Sequence, residues 1–217
     1  METGLILPVH YGNRELRIYN QRNSEWRYPY PYETSPEDTL YSAGCGLFSL
    51  NHLLQWMHGI DVNVEELSDF ACTKGGRGDD GTDRPALLTA LMRHRKGEEW
   101  GFEYEGDGLR NGESDLWHHI YEKKGTALAN LRKGHIVALV EGRIQHGTRQ
   151  LLVIDSNSES AHEKVKDCVY EVLPDSCIHW NNRNKINMVV GEQKAYAMFW
   201  VDAALPTDYN LIHTIQK

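Results

Sequence analysis

The sequence predicts an α+β fold in which helices come first and pack on a mainly antiparallel sheet. Two observations carry this. Between about residues 40 and 123 the apolar residues recur at helical spacing, and from about 124 to 202 they fall into short runs broken by glycine and charged turns. That order, helices and then strands, is the signature of α+β rather than of alternating βαβ units.

The elements follow in turn. "NQRNSEWRYPYPYETSPEDT" (20 to 39) is rich in proline, tyrosine and charge and reads as an extended lead-in pinned by aromatic packing of Trp26, Tyr28, Tyr30 and Tyr32. From 45 to 57, Leu47, Leu50, Leu53, Leu54 and Met57 make one apolar stripe, and Gly59 supplies a stop. "NVEELSDFA" opens a second helix, with Asn63 and Glu66 spaced as a capping box. "TKGGRGDDGTD" (73 to 83) reads as a flexible glycine-rich loop bordering a cleft. It lacks the Lys-Ser/Thr of a phosphate loop and the spaced ligands of a calcium loop. Asp83 then caps a third helix, "RPALLTALMRH", and 114 to 123 gives a fourth. The strands expected are 125–131, 135–144, 149–156, 168–173 and 195–201.

Composition narrows the function. A chain of 217 residues, 40% hydrophobic and 25% charged, suits one sizeable domain or two small ones. Its net charge of −8 and scattered Lys and Arg argue against a nucleic-acid binder. No stretch approaches the ~20 apolar residues of a membrane span. The opening "METGLILPVHYGN" has no basic start, and "LILPV" is too short for a signal peptide. Cytoplasmic residence is therefore expected, with release by a non-classical route left open. The cysteines Cys45, Cys72, Cys168 and Cys177 contain no CxxC and make no disulfide framework. Cys177 and His179 are the one close pair of zinc-type ligands, too few for a site. No metal or organic cofactor is expected.

Chemistry concentrates at three element ends. In "YSAGCGLFSL", Cys45 stands where a helix begins. Unpaired backbone N–H groups and the helix dipole favour a thiolate there. The flanking glycines let a substrate backbone come close, and the Cys45 N–H is placed to hold an oxyanion. A small buried cysteine packing like alanine is the competing reading, and "GCG" alone does not choose between them. His135, in "KGHIVALVEG", heads an apolar strand. Asp155, in "LLVIDSNS", closes the next, with "RIQHGT" joining the two as a hairpin. The start of one strand lies beside the end of its antiparallel neighbour, so Asp155 can orient the His135 imidazole. That is the nucleophile, base and orienter arrangement of a cysteine triad.

With these residues in place, "NQRNSEW…YSAGCGLFSLNHLLQWM…GTDRPALLTALM…GHIVALVEG…LLVIDSNS" resembles the papain-like cysteine peptidases. More narrowly it is similar to stand-alone relatives of the bacteriocin-processing, double-glycine leader peptidases. The resemblance spans roughly residues 19 to 157, with "AYAMFWV" as a closing strand. It implies a single papain-like domain over 1–217, with a helical half about 40–123 and a strand half about 124–202. It further implies Cys45 as nucleophile, His135 as general base, Asp155 as orienter and Gln21 as side-chain donor of the oxyanion hole. The implied partner is a peptide or protein substrate, cut at a peptide or isopeptide amide through a thioester acyl-enzyme.

The chain departs from that family in places. Gln21 lies farther before the cysteine than papain relatives keep this Gln, and Leu47 stands where relatives often show proline. An alternative register puts Gln150 at the histidine position. That would make the chain an inactive, peptide-binding relative. His146, in the hairpin loop, is a third candidate base, though a loop-tip histidine is expected to be solvated. The same triad also suits cell-wall amidase or acyl-transfer chemistry. His118 and His119 are adjacent, point about 100° apart on a helix, and are expected at the surface.

Overall fold

The computed structural model describes residues 6–104, 112–131, 134–156, 170–171, 198–203 and 208–214. Helices and a mainly antiparallel sheet are both present, as expected, but strands also precede the helices and interrupt them, and the first strand pairs in parallel with the short strand Tyr170–Glu171. Strands β1 (Ile6–Tyr11) and β2 (Arg14–Tyr19) form a hairpin. Helices α1 (Leu40–Ala43), α2 (Cys45–His58) and α3 (Val64–Lys74) follow. A small ribbon, β3 (Arg77–Gly78) and β4 (Gly81–Thr82), leads to α4 (Arg84–Arg93), α5 (Lys96–Trp100) and β5 (Phe102–Tyr104). Then come α6 (Glu113–Trp117), a one-turn π-helix (His118–Glu122), β6 (Thr126–Leu131), β7 (His135–Gln145) and β8 (Thr148–Ile154). The two-residue β9 (Tyr170–Glu171), β10 (Met198–Asp202) and β11 (Asp208–Thr214) complete the described chain.

Six strands form the main sheet in the order β10-β8-β7-β6-β11-β5, every neighbouring pair antiparallel. The run of five apolar residues in β7 is explained by burial on both faces. Ile136, Ala138 and Val140 face the core made by α2, α3, α4 and the N-terminal strands. Val137 and Leu139 face a second core, with Leu116, Trp117 and Ile120 below the sheet. The β7–β8 turn is two residues long, His146 and Gly147, both at positive φ (49° and 77°). That is the primed geometry favoured by tightly twisted hairpins.

Helix α2 is the centre of the molecule. The expected stripe holds, but burial runs all round: every residue from Cys45 to Trp56 is buried, including Ser49, Asn51, His52 and Gln55. Gly59 ends it in the left-handed region at φ 68°, where glycine carries no Cβ penalty. Asn63 caps α3 through the Glu65 N–H, without the reciprocal bond of a full capping box. Asp83 caps α4 through the Ala86 N–H.

Several readings are corrected. The segment 73–83 is not a loose loop. The Arg77 side chain, 2% exposed, donates to the carbonyls of Tyr30 (3.0 Å), Gly81 (2.9 Å) and Gly78 and pairs with Asp38 at 2.6 Å, tying the ribbon down. The fourth helix changes to π geometry after Trp117, and His119 is buried, its ring on the carbonyls of Thr126 and Ile212. Only His118 is exposed, paired with Glu122. The N-terminal hairpin, α5, β5 and β11 go beyond the elements expected from the sequence. Of the strand expected at 168–173 only 170–171 is described. Cys168, Cys177 and His179 lie outside the described residues. Among the described residues no helix is long and apolar enough to cross a membrane.

Candidate active site

Cys45 is the first residue of α2, with Gly44 as its cap. Its N–H therefore has no partner within the helix. The neighbouring glycines are required by packing. A Cβ on Gly46 would come within 2.5 Å of Thr82 Cβ, and one on Gly44 within 2.5 Å of the Leu40 carbonyl. The β3–β4 ribbon is thus pressed onto the first turn of α2, beside the thiol.

His135 opens β7, directly after Gly134, which holds φ 75°. Its Nε2–H donates to Asp155 Oδ1 at 2.7 Å. Asp155 follows the last residue of β8, where the ladder pairs Ala138 with Ile154, so the strand-end geometry expected from the sequence is present. The His135 ring is also close enough to the Cys45 thiol for each group to shift the other's protonation. Ser49, one turn along α2, donates to the Ile136 carbonyl at 3.0 Å. That bond ties the helix bearing the cysteine to the strand bearing the histidine.

The electrostatics follow from this contact. Burial pushes the Cys45 thiol up. The hydrogen bond and charge of His135, with backbone hydrogen bonds from Ile136 and Gly46, outweigh burial and hold the thiol below its ordinary value. Burial disfavours the His135 cation, but the Asp155 carboxylate and the Cys45 sulfur raise its pKa to about 10. The two groups titrate as a pair, each favouring the other's charged form.

Gln21 is buried, as a surface glutamine would not be. Its Nε2 donates to the Tyr41 carbonyl (3.1 Å), four residues before Cys45. Its Oε1 accepts from Ser156 Oγ (3.3 Å), and its N–H donates to the Ser156 carbonyl (2.9 Å). The carboxamide thus bridges the approach to Cys45 and the residue after Asp155, with one amide hydrogen not used in these bonds. Gln150 sits at the opposite, hairpin end of β8 and accepts from Arg143 Nε at 2.7 Å. His146 is exposed at the turn. Neither occupies the position facing Cys45. Sequence reasoning missed Ser49, Ser156, Thr82 and His52. Ser49, Thr82 and Ser156 carry no motif, and His52 is hidden inside a leucine-rich helix.

An open cleft of about 490 Å³ lies beside the thiol, lined by Gly78 to Pro85 on one wall and by Asn130, Gly134 and Ile136 on the other. Cys45 and His135 are not themselves in its lining. Thr82, packed on Gly46, and the two residues flanking His135 connect it to them. Among the described residues no group of three or more His, Cys, Asp or Glu side chains is arranged to hold a metal ion.

No protein-family model matches the chain, so the narrower likeness to leader peptidases gains nothing from that side, and no curated protein matches it. A solved structure, the crystal structure of UfSP from C. elegans, superposes with a TM-score of 0.48 at 10% identity. The match covers 100% of this chain and 35% of that one, so this chain spans about a third of that protein's length. A superposition this loose carries no argument for fold or chemistry.

Proposed function

We propose that this chain is a cysteine peptidase of the papain-like kind, hydrolysing a peptide or isopeptide amide through Cys45, His135 and Asp155. The observation that supports this reading is the relay itself: a thiol at a helix start electrostatically coupled to an imidazole whose Nε2 lies 2.7 Å from a buried carboxylate. The Cys45 thiolate attacks the amide carbonyl carbon, and a C–S bond forms as the carbonyl oxygen takes the electron pair. The Cys45 N–H and the remaining Gln21 amide hydrogen hold that oxyanion. His135 passes its proton to the leaving nitrogen, the C–N bond breaks, and an S-acyl Cys45 remains. Water then attacks the thioester with His135 as base, releasing the acid and restoring the pair. Asp155 stays ionised throughout and fixes the ring. The cleft between the β3–β4 ribbon and the start of β7 takes the substrate chain.

The test is incubation of the purified chain with a diverse peptide pool, cleavage being read by mass spectrometry. Wild-type protein is expected to give new termini that disappear with Cys45→Ala and with His135→Ala. Identical peptide profiles for wild type and Cys45→Ala at stoichiometric enzyme overturn the assignment.

A further inference from the structure

We infer that His52 is a positioning residue for the oxyanion hole, fixing the end of β2 so that Gln21 stands beside Cys45. The inference rests on the role proposed above for Gln21. Strand β2 is an edge strand, paired with β1 alone. Its open edge presents backbone groups at alternate residues, 17, 19 and 21. These are taken in succession by acceptors that stand where a neighbouring strand would. The Arg17 N–H donates to Gln55 Oε1 at 2.8 Å, and Gln55 Nε2 returns a bond to the Arg17 carbonyl at 3.0 Å. The Tyr19 N–H donates to His52 Nε2 at 3.0 Å. The Gln21 N–H donates to the Ser156 carbonyl at 2.9 Å. Two of these three supports come from α2, the helix that carries Cys45, and the third from the residue after Asp155. One rail therefore ties Gln21 to the nucleophile and to the orienting carboxylate.

Within this rail His52 is costly and specific. It is 1% exposed among leucines, and because Nε2 accepts, its proton must sit on Nδ1. That nitrogen is buried without a partner among the described residues. A leucine would avoid the orphaned donor but could not accept from Tyr19. Burial drives the ring's pKa down to about 4, so the acceptor is present wherever the peptidase chemistry operates. The rings of Tyr19 and His52 stack with centroids 6.2 Å apart, which fixes the direction of the bond. Without it the N–H of Tyr19 must find another acceptor, and the strand end, two residues before Gln21, moves with it. Displacements of about 1 Å at such a donor cost on the order of 10²-fold in rate.

The test compares two reactions of Cys45. Acylation by p-nitrophenyl acetate passes through an oxyanion, whereas alkylation by iodoacetamide is a displacement that forms none. For His52→Leu, the p-nitrophenolate burst rate is expected to fall about 30- to 100-fold while Cys45 alkylation keeps its rate and pH profile. His52→Gln, whose Oε1 can take the same N–H, restores most of the burst. In a Gln21→Ala background, His52→Leu brings no further loss. Parallel loss of alkylation, an undiminished burst, or a full additional loss in the Gln21→Ala background overturns the inference. If His52→Leu does not fold by circular dichroism, His52→Gln against His52→Asn decides, since the shorter amide cannot reach. Equal bursts from the two overturn it. A wild-type protein with no burst refutes the peptidase reading instead, and a burst insensitive to Gln21→Ala refutes the role of Gln21.

Discussion

Replacing Asp155 by asparagine isolates the charge behind the Cys45–His135 pair. The amide keeps the shape and an oxygen for the His135 ring but removes the carboxylate. At the 2.7 Å separation and an effective dielectric of ~20, a full charge pair is worth about 6 kcal/mol. The rise of His135 from 6.5 to about 10 gives a similar figure, about 5 kcal/mol at ~1.4 kcal/mol per tenfold in proton affinity. The sulfur supplies part of that rise, and burial opposes it. Taking about half as dependent on Asp155, the imidazolium loses about 2–3 kcal/mol and the thiolate loses its partner. The sign is fixed: the pKa of His135 falls, that of Cys45 rises, and the acid limb of Cys45 reactivity moves to higher pH. At about pH 6 the alkylation rate is expected to drop on the order of 10²-fold, with a smaller deficit near pH 9. The assay is iodoacetamide alkylation of each variant over a pH series, with peptide mass mapping to read Cys45 separately from the other cysteines. An unmoved acid midpoint in a folded Asp155→Asn protein refutes the reasoning, because the carboxylate would then not support the pair.

Three further outcomes follow from the packing. Gly46→Ala forces a methyl into Thr82, so stability should fall by about 1–3 kcal/mol in urea denaturation, with slower Cys45 acylation. Arg77→Met strands Asp38 and unties the β3–β4 ribbon, and a loss of about 3 kcal/mol is expected, measurable as a lower melting temperature. His146→Ala should leave both Cys45 reactivity and stability unchanged, as its side chain is exposed at a turn tip. A loss of reactivity would reopen the assignment of the base.

The parts legible in the sequence are those governed by local rules. The central strands showed as apolar runs, and α2 as a 3.6-residue repeat closed by Gly59. Cys45, His135 and Asp155 are legible because each ends an element, where backbone polar groups are left over and side chains can meet. What was not legible depends on long-range pairing. The hairpin β1–β2 turns at Gly12, φ 60°, with Leu16 and Ile18 alternating inward, a pattern readable in "HYGNRELRIY" only once a core exists for it to face. The stripe on α2 hid the polar rail on its other side, because His52 and Gln55 are satisfied by β2, more than thirty residues away in sequence, and Asn51 by Asp61 beyond the helix end. Arg77 sits in a glycine-rich stretch that reads as a loop, yet it anchors that segment. A buried guanidinium satisfied by four carbonyl and carboxylate partners leaves no trace in composition.

The central claim is that Cys45 is a nucleophile activated by His135, and the alkylation rate of Cys45 between pH 4 and 9 tests it most directly. The account predicts that Cys45 reacts far faster than Cys72, with an acid midpoint well below the ~8.5 of a free thiol, and that His135→Ala abolishes the advantage. A Cys45 that stays inert over this range, or reacts identically with and without His135, would contradict it and make the residue part of the core alone.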